Sequence, residues 1–342
     1  MASEISRLLI RAVWGRYSKS HPIMKTGLSA IRTEYIDDLP DNCMENPIEV
    51  ASIVKSFGKI VALNKVNYSS AKGINMILGP NGAGKSTFLR CIDGLYAVDS
   101  GSVRIFGENP YKNTQTKNMI SLLTDNYALY DFLTVADNLK FFGRLYGMKD
   151  REILEAGKKM LRSLDAAQYL HRRVSELSRG TKQKVAFCRA TLNKPDVLLL
   201  DEPTAFLDAH SAEAMRKILI EYEREGKTIL FVTQKLDEVT RFNGKIAIIK
   251  AGKLVKETST EGLYNMVLKN TTVNVRLARP LDIKIVKRID GFIEPNSKTP
   301  TMLKFMVNDY RQINRIISSL MADGASIVSV DYIEHLIDDL SG

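Results

Sequence analysis

Long apolar runs are missing from this 342-residue sequence. No stretch approaches the 18 or more apolar residues that a membrane-spanning helix needs, so work at a membrane requires a separate partner. Cysteine is scarce. Cys43, Cys91 and Cys188 are odd in number and widely spaced, which argues against a disulfide framework and fits a reducing cytosol. Cys91 in FLRCIDGL and Cys188 in KVAFCRA sit in apolar, helix-like settings, where a thiol packs as a small hydrophobe. The cleavage-site pattern of a secretory signal peptide is lacking as well.

Charge balance is also lacking, and unevenly so. The net charge is +10, yet residues 1–46 hold six Lys/Arg and six Asp/Glu, and residues 271–342 hold nine of each. The whole excess falls between them. A basic segment between neutral ones suits polyanions, whether nucleotides, nucleic acid or an anionic membrane face; it equally suits a solvated lysine-rich surface. Hydrophobic residues at 44% and charged residues at 26% are ordinary for a soluble globular protein. The length allows two domains, or one large domain with appendages.

What is present falls into three parts. Residues 1–46 are irregular apart from ISRLLIRAVWGRY, which interleaves Ile5, Leu8, Leu9 and Val13 with Arg7 and Arg11. This suits an interfacial amphipathic helix, although Arg16 intrudes on the apolar face; a start at Met24 or Met44 is the other reading. From Ile48 apolar strands alternate with helical stretches, as in a parallel sheet with crossover helices. The predicted strands are INMIL (74–78), MISLL (119–123), DVLLL (196–200), TILFV (228–232) and KIAII (245–249), continuous enough to be buried on both faces. KIAIIKAGKLVKE reads as a hairpin turning at Ala251-Gly252. Beyond residue 270, VNVRL and LKFMV alternate, and DYRQINRIISSLMADG puts Ile313, Ile316, Ile317 and Leu320 on one helical face. SIVSV and a last short helix complete a small α+β subdomain.

INMILGPNGAGKSTFLR contains G-x-x-x-x-G-K-S as Gly79, Gly84, Lys85 and Ser86, between a strand and a helix. That is the context a phosphate-binding P-loop demands. Its glycines let backbone N–H groups turn inward around phosphate oxygens, and the helix N-terminus adds its dipole. Lys85 offers a charge to the β- and γ-phosphates and Ser86 a hydroxyl to Mg²⁺. DVLLLDEPT ends four apolar residues in Asp201, at the sheet edge where doubly wound folds bind ligands. Asp201 can hold Mg²⁺ through water, and Glu202 can act as general base on an attacking water. Ser178 and Gly180 cap a helix start, a further anion site.

VSELSRGTKQKVAFCRATLNKPDVLLLDEPTAFLD resembles the signature-to-Walker-B block of ATP-binding cassette ATPases, with LSRGTKQ for the commoner LSGGQ. The resemblance covers residues 48 to about 270. It implies an α/β P-loop NTPase fold: a RecA-like core with an antiparallel β-subdomain and a helical signature subdomain, followed by a small C-terminal extension. The domains expected are an N-terminal extension (1–46), the cassette (47–270) and the tail (271–342). The implied ligands are ATP and Mg²⁺, with Gly79, Pro80, Asn81, Gly82, Ala83, Gly84, Lys85, Ser86 and Thr87 around the phosphates and Phe57 stacked on adenine. Leu177, Ser178, Arg179, Gly180 and Thr181 would meet the nucleotide of a second cassette in a head-to-tail dimer, and Asp208 would work across that dimer. LYDFLTVADNLKFFGRLYGM (129–148) looks like the helical stretch of exporter-type cassettes that pair with a separate permease at the inner membrane face. Tyr127, Leu129, Tyr130 and Phe132 are docking candidates there, with core packing the alternative.

Two positions depart from the family pattern. Asp125 stands where the family has a glutamine that links Mg²⁺ to permease contact; its shorter arm can reach the metal through a water. Gln234 in FVTQKLDE stands where the family has a histidine that bonds the γ-phosphate and orients the catalytic glutamate. None of His21, His171, His210 and His335 falls in that slot. Two functions follow: an ATP-hydrolysing subunit of an exporter, with Glu202 and Gln234 as catalytic residues, or a weakly hydrolytic clamp or degenerate partner. Nucleic acid is not an expected partner, because the chain has one cassette, no second P-loop and no long heptad insertion.

Overall fold

The computed structural model describes residues 45–268, 271–293 and 301–332. The amphipathic segment near the N-terminus, the alternative starts at Met24 and Met44, Cys43 and the last short helix lie outside these residues. The chain divides into two compact units between Glu257 and Thr258.

The centre of the first unit is a six-stranded sheet. In chain order its strands are β3 (Gly73–Leu78), β5 (Ile120–Leu123), β6 (Val197–Asp201), β7 (Thr228–Thr233), β8 (Lys245–Lys250) and β9 (Lys253–Ser259), and in space they run β5-β6-β7-β3-β8-β9. From β5 through β8 neighbours pair in parallel. Every residue of β3, β6 and β7 is buried, the outcome expected of continuous apolar strands covered on both faces. The predicted strands are all present. Two first residues move: Met119 of MISLL ends a short helix, α2 (Thr114–Met119), and Asp196 of DVLLL precedes β6. The β8–β9 turn falls at Ala251 and Gly252, both at positive φ (45° and 73°), as a tight two-residue hairpin turn requires.

A second sheet in this unit is antiparallel, order β2-β1-β4, from β1 (Ile48–Phe57), β2 (Ile60–Ser69) and β4 (Ser100–Ile105). Its apolar face and the central sheet enclose α1 (Lys85–Ile92): Ile48, Ile53 and Leu63 share one core with Phe88, Leu89 and Ile92 and with Leu199, Leu230 and Val232. The helix that follows the P-loop is thus held on two sides. Cys91 lies in this core, and burial pushes its thiol up to about 11.

The helices α3 (Val135–Leu145), α4 (Asp150–Ser163) and α5 (Arg179–Thr191) have a separate core, with Leu139, Ile153, Leu161, Leu170, Val185 and Cys188. Buried there, Cys188 is pushed up to about 12. Both thiols stay protonated and serve packing. The unit also holds α6 (Ala209–Arg224) and the short α7 (Leu236–Val239).

The second unit contains α8 (Thr260–Leu268) and an antiparallel sheet, order β11-β12-β10-β13, built from β10 (Thr271–Leu277), β11 (Phe292–Ile293), β12 (Met302–Val307) and β13 (Ile327–Tyr332). Between β10 and β11 lies the short α9 (Ile283–Val286), and α10 (Tyr310–Ala322) follows β12. Alternate residues of β12 are buried, Leu303, Phe305 and Val307, and α10 contributes Ile316 and Leu320. A one-sided sheet closed by a helix is what the alternating pattern predicts.

Candidate nucleotide site

Four neighbouring parallel strands end on one edge of the central sheet. Leu78 of β3 lies beside Thr233 of β7, Asp201 of β6 beside Val232, and Leu123 of β5 beside Leu200. The residues just past these ends are therefore brought together from positions 79, 125, 202 and 234, although up to 155 positions separate them.

The loop after β3 closes onto α1 through Gly84, whose φ of 101° is left-handed. A side chain here is doubly excluded, since a Cβ would also come within 2.5 Å of the Ala62 carbonyl. Asn81 and Gly82 are exposed and Ala83 is buried. No side chain caps α1, and its first turn holds no acid, so the first N–H groups and the positive end of the dipole are free to meet an anion. Lys85 is only 6% exposed and folds back to donate to the carbonyls of Gly79 (2.8 Å) and Pro80 (3.0 Å). Burial pulls its amine below the ordinary lysine range, opposed by the carboxylates of Glu202 and Asp201.

Asp201 is buried, and that burial raises its carboxyl above the ordinary range. A hydrogen bond from the Ser86 hydroxyl opposes the rise; the charges of Asp125 and Glu202 add to it. Ser86, Asp201 and Asp125 thus share one electrostatic neighbourhood, and a cation would relieve it. Among the described residues no cluster of three His, Cys, Asp or Glu side chains could hold a metal alone. A site with one hydroxyl and one or two carboxylates suits Mg²⁺, which completes its shell with water and phosphate oxygens. Asp125 itself is mostly exposed and pairs with Arg90 of α1 at 3.0 Å.

Glu202 sits at φ 46°, a left-handed conformation that a non-glycine residue adopts at a cost. Its side chain is tied to the end of β7: Oε1 accepts from the backbone N–H of Gln234 at 2.8 Å, and Oε2 from the Thr233 hydroxyl at 2.9 Å. Gln234 is half-buried, and its side-chain amide has no protein partner among the described residues.

The predicted signature residues form a second corner. Ser178 caps α5 by accepting from the Thr181 N–H at 3.2 Å. Gly180 does not share the cap; it lies in the first turn, where a Cβ would strike the Phe206 carbonyl at 2.6 Å. Arg179 lies over the Phe206 ring, 5.3 Å to its centre, and Leu177 is buried in the helical core. Gln183 ties this helix to the acidic loop, donating to the carbonyls of Glu202 (3.2 Å) and Pro203 (2.8 Å). Asp208 caps α6, with both oxygens engaged by Ser211, which holds its carboxyl below the usual range. Phe57 is 45% exposed; it meets Tyr96 in a T-shaped contact at 5.4 Å, and the Lys55 ammonium lies over its ring at 5.5 Å.

Of the docking candidates, Tyr130 and Phe132 are 39% and 52% exposed and cluster with Phe141 and Phe142. Leu129 instead packs on the helical core, and Tyr127 is half-buried. The roles of Thr233, Gln183 and Arg90 are not apparent from the sequence, although Gln183 closes LSRGTKQ and Thr233 is the threonine of the strand-end Thr-His pattern.

A family model described as ABC transporter matches residues 63–205. The chain is similar to a spermidine/putrescine import ATP-binding protein, PotA, of Nitrosomonas europaea, with 36% identity over 64% of this chain and 61% of that one. It spans less than two thirds of that relative. It is also similar to the ABC transporter ATP-binding protein NatA of Bacillus subtilis, at 36% identity over 60% of this chain and 85% of NatA. An uncharacterized ABC transporter ATP-binding protein of Methanocaldococcus jannaschii is 35% identical over 62% of this chain and 77% of its own. Among solved structures, a dimeric bacterial ABC transporter cassette matches with a TM-score of 0.58 and 25% identity, covering 62% of this chain and 98% of that one.

Proposed function

The chain belongs to the family of ABC transporter ATP-binding proteins, and from that premise we propose that it binds Mg²⁺–ATP at the sheet edge and hydrolyses it to drive a separate permease. One observation carries the reading: Lys85, the Ser86–Asp201 pair and Glu202 converge at the ends of three adjacent strands. The assignment of residues 47–270 as the cassette, between an N-terminal extension (1–46) and a tail (271–342), belongs to the same proposal.

The backbone N–H groups that the loop leaves free between Asn81 and Thr87 donate to the phosphate oxygens; Pro80 has none, and the Gly79 N–H is taken by the Thr233 carbonyl. Lys85 exchanges its two loop carbonyls for the β- and γ-phosphates, which are better partners for a desolvated ammonium. Ser86 and Asp201 would hold Mg²⁺, with Asp125 available to it once released from Arg90. Mg²⁺, when bound, neutralises charge on the phosphate oxygens. Glu202 takes the proton of the water that attacks the γ-phosphorus, while the bond to the ADP oxygen breaks. Phe57 stacks on the adenine.

The similarity to a dimeric cassette supports a head-to-tail pair in which Ser178, Arg179, Gly180 and Thr181 meet the partner's nucleotide. Asp208 would reach across that dimer only by leaving Ser211. No helix among the described residues is long and apolar enough to cross a membrane; the reading takes the permease as a separate chain. The exposed aromatics Tyr130 and Phe132 are the proposed docking point; docked there, the subunit would lie at the inner face of the cell membrane. The exporter direction rests on the 129–148 stretch and the tail, against the import name of PotA. Uptake and efflux assays with the permease that co-purifies from solubilised membranes decide the direction.

Gln234 favours a second reading, an ATP-dependent clamp. Its amide donates to a phosphate oxygen but carries no positive charge. Loss of one charge-assisted bond to the transition state costs about 2–3 kcal/mol, tens- to a hundredfold in rate. ATPase turnover of wild type, Glu202→Gln and Gln234→His separates the readings. Hydrolysis predicts a large loss for the first variant and a gain for the second; turnover indifferent to Glu202→Gln refutes it.

A further inference from the structure

The structure assigns to Thr233 the task of aiming Glu202, an inference that rests on Glu202 being the general base. We propose that this contact supplies the orientation that a side chain at position 234 would otherwise give. Thr233 is the last residue of β7 and is 1% exposed. Its hydroxyl oxygen accepts from the backbone N–H of Lys235 at 3.0 Å, and its proton goes to Glu202 Oε2 at 2.9 Å. The Lys235 N–H fills one of the oxygen's two acceptor positions, and the carboxylate of Glu202 is the partner for the hydroxyl proton.

The other carboxylate oxygen is held by the Gln234 N–H at 2.8 Å, a backbone group that any residue at 234 except proline would present. Glu202 is thus gripped at both oxygens by the strand end, and its own N–H donates to the Val232 carbonyl at 3.0 Å. One acceptor position on each oxygen remains for water. The grip also aims the acid: Glu202 is the foremost charge supporting the Lys85 ammonium, so its carboxylate lies within electrostatic reach of the P-loop. The Gln234 side chain takes no part in the grip and is left free for a ligand. Thr233 is a positioning residue; it acts through Glu202 and does not touch substrate.

The test compares Thr233→Val, which keeps shape and removes the hydroxyl, with Thr233→Ser, which restores it. Thr233→Val is expected to lower kcat for ATP by about 10- to 100-fold, the usual effect of losing a supporting hydrogen bond behind a catalytic group. KM and equilibrium binding of ATP stay within about twofold of wild type. Thr233→Ser recovers most of the rate. Gel filtration in Mg²⁺–ATP provides a readout other than turnover: the Val variant accumulates an ATP-bound dimer that the Ser variant resolves. In the Glu202→Gln background the Val substitution adds no further loss, because the two act as one unit.

A Val variant with wild-type kcat overturns the proposal, as does a Ser variant equally impaired. Thr233→Ala carries the same readouts should Val not fold. Wild-type turnover by Glu202→Gln instead overturns the general-base reading itself, which distinguishes the two failures.

Discussion

Two helix N-termini face the two halves of the proposed chemistry, and the sequence finishes them differently. At α1 the cap position is Gly84, with no capping side chain and no acid in the first turn. At α5 Ser178 supplies the cap itself, and Arg179 stands in the first turn. An uncapped N-terminus leaves several N–H groups without a partner, so α1 is incomplete until an anion arrives. Lys85 fills in by bonding the loop's own carbonyls. At α5 the Ser178 hydroxyl already satisfies the Thr181 N–H, so an anion there finds an engaged hydroxyl, the first-turn N–H groups of Arg179 and Gly180, and the Arg179 cation. The first design suits tight binding within one chain; the second suits a contact that forms only when another molecule presents its phosphate. Asp208 marks the far end of this series, with both oxygens engaged by Ser211.

The comparison breaks most readily at Lys85. Lys85→Ala removes the cation that folds over the loop among the described residues, and ATP affinity measured by calorimetry should fall by about 100-fold, a loss of about 3 kcal/mol. Little change would mean that the backbone N–H groups alone carry α1's affinity.

Ser178→Ala sharpens the contrast. It removes a helix cap, worth about 1 kcal/mol of stability, and should leave ATP affinity of the single chain unchanged. ATP-driven dimerisation, followed by sedimentation, should weaken. Equal loss of ATP affinity in the single chain would erase the distinction between the two termini.

The smallest effect is expected at Asp208. Its carboxyl lies below the usual range because Ser211 bonds the charged form, so its contribution to stability is present above the unfolded value, about 3.9. That contribution is lost as pH falls through the lower folded value. Melting curves of wild type and Asp208→Ala should therefore converge below about pH 4 and differ near neutrality. A constant gap would assign the effect to helix propensity.

The parts of the fold that were legible are those written in contiguous residues. INMIL, DVLLL and TILFV announce strands buried on both faces, because nothing polar interrupts them. The antiparallel sheet was known only through family resemblance. Register shifts within β1, between Val50 and Ile53 and again before Lys55 and Ser56, spoil the alternation by which a half-buried strand is recognised. The glycine loop and the Asp201-Glu202 pair were likewise readable from local sequence. Sequence marks Gln234 by its missing imidazole, but the contact that matters at that position is its backbone N–H.

The sequence by itself determined the chemistry available: a loop that must expose N–H groups, a lysine, a hydroxyl and two adjacent acids, each set by residue type and short spacing. Tertiary structure decided which groups touch. Parallel pairing of β6 with β7 brings Glu202 to Thr233 across 31 positions, and the α5–loop contact gives Gln183 its two carbonyls. The Asp125–Arg90 pair likewise joins the end of β5 to α1. Strand register and helix packing are collective results of burial over the whole core, so no short stretch of sequence records them.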